Sequence, residues 1–89
     1  MRLAGVITLY HPNKNVLSNI KTFLDQLDIL YVLDNTENPD ISTKVMFSEI
    51  QKVKYKAFGD NMGIAYAMNY ALKAAEGYDF LLIMDQDWC

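Results

Sequence analysis

The hydrophobic positions of this chain switch between two spacings, short continuous or alternating runs and longer stretches with one apolar residue every third or fourth position, which predicts strands alternating with helices. Leu3 to Tyr10 (LAGVITLY) is an unbroken apolar and β-branched run closed by His11-Pro12, suited to a central strand buried on both faces. From Asn13, a candidate N-cap, Val16, Leu17, Ile20, Phe23, Leu24 and Leu27 recur at helical spacing. Ile29 to Leu33 predicts a second buried strand, ending in the turn formers Asp34-Asn35-Thr36-Glu37-Asn38-Pro39. Asp40 is placed to cap a shorter helix carrying Ile41, Val45 and Ile50. In Lys52 to Ala57 lysines alternate with less polar residues, the pattern of a strand wet on one side and guarded at the sheet border. A helix is expected from Met62 to Glu76, with Ile64, Ala67, Met68, Ala71, Leu72 and Ala75 on its apolar stripe and Gly77 as its stop. The apolar run Phe80 to Met84 predicts a last buried strand, ending at Asp85-Gln86-Asp87.

This alternation specifies an α/β fold, and right-handed crossovers make the sheet parallel, with expected order 3-2-1-4. Ligands of such open sheets bind beyond the carboxyl ends of the strands, where strand order reverses, here between strands one and four. That rim collects Thr8 to His11, Asp34-Asn35, Gly59-Asp60-Asn61 and Asp85-Gln86-Asp87. The turn Asn61-Met62-Gly63 is expected to offer free backbone N–H groups to an anion. Asp85 and Asp87 project to the same side of an extended strand, with Cα atoms about 7 Å apart. They either form an acidic turn in water or share a hard divalent cation, Mg²⁺ or Mn²⁺, with a phosphate.

With 89 residues, of which 52% are hydrophobic, the chain makes at most one domain, residues 1–89, with a modest core. A net charge of −3 argues against a general electrostatic grip on nucleic acid or anionic lipid. One cysteine, Cys89, excludes an internal disulfide and fits a reducing compartment. No apolar stretch reaches the length of a membrane span or of a signal segment, so a soluble, cytoplasmic protein is expected. The glycine-rich dinucleotide fingerprint is missing after strand one, where His11-Pro12-Asn13-Lys14 stands, and no Walker phosphate loop occurs. A receiver domain would require an acidic pair after strand one, which the chain lacks. A diphosphate ligand therefore needs another anchor, and a metal on Asp85 and Asp87 would supply one.

Four segments, in order, carry a resemblance: Val6-Ile7-Thr8-Leu9-Tyr10, Val32-Leu33-Asp34-Asn35, Asp60-Asn61-Met62-Gly63-Ile64-Ala65-Tyr66-Ala67-Met68-Asn69, and Leu82-Ile83-Met84-Asp85-Gln86-Asp87. The chain resembles the donor-binding, N-terminal part of bacterial family-2 glycosyltransferases of the GT-A fold, most closely the rhamnosyltransferase-like branch. The resemblance implies inverting transfer of a sugar, dTDP-rhamnose by branch similarity, from a nucleotide-diphosphate donor to an acceptor hydroxyl in cell-surface polysaccharide synthesis, assisted by Mg²⁺ or Mn²⁺. It places Thr8, Tyr10 and Asp34 around the nucleotide base. Asn61, Gly63 and Asn69 would line the donor pocket, Asp85 would face ribose or metal, and Asp87 would bind the metal.

Each assignment has a structural alternative. Tyr10 could cap the core, Asp34 could be a turn former, Asn61 a plain N-cap, and Asn69 a tether from helix to loop. Trp88 departs from the small polar residue usual after Asp-Gln-Asp in that branch. Relative to complete enzymes of the family the chain corresponds to the first third, without the half that supplies the general base, so no catalytic residue is assigned and the chain alone is expected to be inactive. The full-length parent could associate peripherally with the membrane. The competing expectation is a non-catalytic remnant that binds nucleotide weakly or self-associates through strand four, which has no lysine protection.

Overall fold

The computed structural model describes residues 2–12 and 15–85, Asp85 as a backbone position only. The strands are β1 (Leu3–Leu9), β2 (Ile29–Asp34), β3 (Val53–Ala57) and β4 (Phe80–Asp85), and the helices are α1 (Asn15–Lys21), α2 (Ile41–Ser48) and α3 (Ile64–Ala74). The strands form one sheet in the order β3-β2-β1-β4, and each neighbouring pair is parallel, as the alternation of periods requires.

β1 is central and buried from Ala4 to Leu9, so its side chains feed both faces in turn. On one face Ile7, Leu9 and Val32 pack with Val16 and Ile20 of α1 and Phe47 of α2. On the other, Ala4, Val6, Tyr31 and Leu33 meet Ala67 and Ala71 of α3. The alanines let the α3 backbone come close to the sheet, and the Tyr31 hydroxyl donates to the Ala74 carbonyl at 2.9 Å. Gly5 leaves room in the middle of β1: a Cβ there would lie 2.7 Å from Leu27 Cδ1 and 3.1 Å from Met84 Cε. That space requirement is invisible to hydrophobic patterning.

The elements depart from the sequence reading in four places, each for a local reason. The first helix does not run on to Leu27. It ends at Lys21, where the Thr22 N–H and hydroxyl both turn back to the Asn19 carbonyl, at 3.2 Å and 2.6 Å, and such back-bonding competes with the helical ladder. A separate 3₁₀ turn, Leu24–Gln26, follows, and Phe23 and Leu27 are nonetheless buried. The expected Asn13 cap lies outside the described residues. In α2 the Asp40 cap forms, its Oδ1 accepting from Ser42 N at 3.1 Å, yet Ile41 and Val45 are exposed. The inward residues are instead Met46 and Phe47, followed just past the helix by Ile50, which packs inward as expected. Their spacing fits one helical stripe, and full burial of a phenylalanine gains about 2–3 kcal/mol, more than turning in Val45 would.

α3 begins at Ile64 rather than Met62, because Gly63 stands at the N-cap with φ 84°, outside helical space. Asn61 is therefore not the N-cap. Beyond the helix, Gly77 takes φ 93°, consistent with its expected role as stop. Ala67, Ala71 and Ala75 are buried as expected, but Ile64 and Leu72 are about 60% exposed (60% and 59%). The stripe is narrower than the pattern suggests: its alanines are the residues buried against the sheet, with Met68 partly buried beside them. Lastly, β4 is not a buried strand. It forms the sheet border opposite β3, with Phe80, Leu82 and Ile83 exposed. β3 carries its lysines outward at Lys54 and Lys56, as its alternation requires.

Candidate active site

The parallel register brings three strand ends level at the carboxyl rim. Thr8 lies opposite Asp85 of β4, and Leu9 lies opposite Asp34 of β2. Order reversal between β1 and β4 opens a groove of about 280 Å³ there, lined by Thr8, Ile64, Met68, Ile83 and Met84. A second groove, of about 190 Å³, lies on the β2 side and is lined by His11, Pro12, Asp34, Thr36, Asn38, Asp40 and Thr43. Thr8 is buried with 8% exposure, whereas Tyr10, just past the strand, is 46% exposed and so does not cap the core.

The organising segment of the rim is Asp34-Asn35-Thr36-Glu37, in which every side chain holds at least one other residue. Asp34 is 1% exposed. Its Oδ1 accepts from Thr36 N at 2.9 Å and its Oδ2 from the Tyr55 hydroxyl at 2.6 Å. Asn35 N donates to the Leu9 carbonyl at 2.8 Å, while Asn35 Oδ1 accepts from Met62 N at 3.3 Å. Thr36 Oγ1 accepts from His11 N at 2.8 Å. Glu37 takes the Tyr10 hydroxyl on Oε1 at 2.9 Å and lies 3.2 Å from His11 Nε2 through Oε2. Thus the exits of β1, β2 and β3 and the entry to α3 are all tied to four consecutive residues.

This arrangement makes Asp34 a turn former, as one of the two sequence alternatives required. A carboxylate accepts up to about four hydrogen bonds, so lone pairs remain on both oxygens. The anion-binding turn expected at Asn61-Met62-Gly63 is not found. Met62 N is taken by Asn35, Gly63 N donates to Asn61 Oδ1 at 3.1 Å, and Asn61 N donates to Asp60 Oδ1 at 2.8 Å. These local bonds fix the loop and use the N–H groups that an anion would need. Asn69 does not join the rim. It opens into a groove with Tyr66, Tyr70 and Lys73, one helical step round from Met68, which lines the Thr8 groove. Asp85 is placed by its backbone beside Thr8, and Asp87 lies outside the described residues. Among the described residues no group of three or more His, Cys, Asp or Glu side chains could hold a metal ion.

The model of one family, glycosyl transferase family 2, matches residues 6–89. The chain belongs to glycosyl transferase family 2. No curated protein matches it. The family's general chemistry is glycosyl transfer from a nucleotide sugar, and the carboxyl rim of this family 2 fold is where its open sheet would receive one. None of the described helices is long and apolar enough to cross a membrane.

Tyr55, Thr36 and Glu37 of this family 2 domain are rim residues that sequence reasoning missed, and the part Asn35 plays in holding Met62 N was not foreseen either. Asn35 to Glu37 read as generic turn formers. Tyr55 could have been flagged, since its inward position in the alternation of β3 puts a phenol beside the carboxylate ending β2. Burial, followed by the hydrogen bond and charge of Asp34, pushes the Tyr55 hydroxyl well above its ordinary value of 10.0. The unfolded chain therefore releases this proton near pH 10 while the folded chain keeps it, so the contribution is whole below that pH and lost as pH rises above it. The stability of the wild-type domain is expected to fall more steeply than that of Tyr55→Phe between about pH 9 and pH 11. Urea midpoints of the two proteins at those pH values check this, and parallel slopes would contradict it.

Proposed function

We propose that this chain is the donor-binding part of a bacterial family 2 glycosyltransferase of the rhamnosyltransferase-like branch, using a nucleotide-diphosphate sugar, dTDP-rhamnose, in cell-surface polysaccharide synthesis in the cytoplasm. The observation that supports it is the register setting Thr8 against Asp85 and Leu9 against Asp34 at the point where strand order reverses. In this reading Thr8, Tyr10 and Asp34 surround the base, Asn61 and Gly63 close the pocket from the α3 side, and Asp85 faces the ribose or the metal. Asp85 and Asp87 would hold Mg²⁺ or Mn²⁺, whose chemistry is to offset the negative charge gathering on the departing diphosphate. The hard carboxylate oxygens of that pair suit such an ion. Inversion also needs a base on the face opposite the leaving group. Asp60 is a poor substitute, since its Oδ1 is engaged by Asn61 N, and the chain alone is expected to bind donor without turning it over. The test is titration of UDP and dTDP with and without Mn²⁺.

A second reading, a non-catalytic module that self-associates, is favoured by one observation. Phe80, Leu82 and Ile83 are exposed along β4, whose outer edge carries none of the lysines that guard β3. Unprotected edges template pairing with another chain. The chain is expected to show a concentration-dependent mass above that of a monomer in light scattering. A constant monomer mass at high concentration would contradict this.

A further inference from the structure

The phenol of Tyr10 is bound at two levels. Its hydroxyl donates to Glu37 Oε1 at 2.9 Å, and its ring meets the His11 ring edge-on, with centroids 4.3 Å apart and planes at 71°. His11 is itself secured to the same carboxylate, Nε2 to Oε2 at 3.2 Å, and its backbone takes φ 48°, a left-handed conformation rare for a residue with a Cβ. The bond from His11 N to Thr36 Oγ1 holds that conformation, and Thr36 is fixed by the buried Asp34. An aromatic side chain leaving a strand would otherwise sample several rotamers. Here a half-exposed ring is held to one orientation by a carboxylate that reaches both it and its neighbour.

A plain surface ion pair accounts for less of this. Exposed pairs add little to stability, and nothing in such a pair requires the Tyr10 hydroxyl or the left-handed backbone at His11. Both fit a ring preset for a ligand, because ordering it beforehand removes a cost that binding would otherwise carry. The hydrogen bond to Glu37 raises the Tyr10 hydroxyl above its ordinary range. Glu37 is lowered, first by its own backbone and then by Tyr10, so near neutral pH the contact is a neutral phenol donating to a carboxylate.

We infer that Glu37 is a positioning residue that presets the Tyr10 ring to stack on the base of the nucleotide donor. The inference rests on the donor-site reading above and adds a residue that does not itself touch the nucleotide. Stacking acts only on ligands that possess a base, so Glu37 should matter for UDP and dTDP and not for inorganic pyrophosphate.

The test is calorimetric titration of the chain in Mn²⁺ with UDP, dTDP and pyrophosphate. With Glu37→Ala, affinity for both nucleotides is expected to fall about three- to tenfold, with pyrophosphate affinity unchanged. Tyr10→Phe should lose as much, and Glu37→Ala combined with Tyr10→Phe should lose no more than either alone. Glu37→Gln, whose amide oxygen still accepts from the phenol, should recover most of the loss. If Tyr10→Leu weakens nucleotide binding but Glu37→Ala does not, the inference is overturned and the donor-site reading stands. An equal loss for pyrophosphate in Glu37→Ala overturns it too, since that marks general damage to the rim. If Tyr10→Leu leaves UDP and dTDP binding intact, the stacking role of Tyr10 falls and the inference with it. Absence of UDP and dTDP binding in the wild type overturns the donor-site reading itself.

Discussion

Asp34→Ala is expected to lower the stability of the domain by about 2–4 kcal/mol, because it leaves two donors, the part-buried Tyr55 hydroxyl and the buried Thr36 N–H, without an acceptor. Each such loss costs roughly 1–3 kcal/mol, and relief from desolvating the carboxylate offsets part of the sum. A domain of this length has a total stability on the order of 4–13 kcal/mol, so a large share would go. Asp34→Asn should cost less: its amide oxygen can keep the Thr36 bond, and its NH₂ can donate to a reoriented Tyr55 oxygen. Urea unfolding followed by circular dichroism gives both values. An alanine variant within about 1 kcal/mol of wild type would show that the carboxylate does not hold the rim together.

The order of elements, the parallel sheet and its 3-2-1-4 arrangement were legible in the chain because period changes and turn chemistry are local signals. The lysine alternation of β3 marked a border strand, and Asp40 marked a helix start, for the same reason. What patterning could not supply was which of two overlapping stripes a short helix would bury. In α2 the large ring of Phe47 prevailed over Ile41 and Val45. Nor could it show that β4, placed at the border by the 3-2-1-4 order, would be exposed rather than buried, since an apolar run reads alike whether or not a layer covers it.

The rim was legible as a location but not as a network. Topology alone brought Thr8, Asp34 and Asp85 together, because parallel strands end on one side. The ties among Asp34, Tyr55, Asn35, Thr36, Glu37 and Tyr10 depend on side-chain reach between loops far apart in sequence. The same bonds removed the expected anion nest, since Asn35 and Asn61 themselves take the N–H groups of Met62 and Gly63.

The largest functional effect is expected at the Asp85-Gln86-Asp87 segment. An acidic chain of net charge −3, whose rim N–H groups from Asn61 to Gly63 are internally bonded, has little to hold a diphosphate unless a cation bridges carboxylate and phosphate oxygens. Removing either the cation or one carboxylate should therefore abolish most of the affinity rather than trim it, whereas contacts to the base contribute about tenfold each.

The most direct measurement is calorimetric titration of the wild-type chain and Asp87→Ala with UDP and dTDP, each in Mn²⁺ and in EDTA. The account predicts binding of a nucleotide diphosphate by the wild type in Mn²⁺ and at least about a tenfold loss on chelation or on substitution of Asp87. No binding of either nucleotide, or binding that neither EDTA nor Asp87→Ala alters, would contradict it.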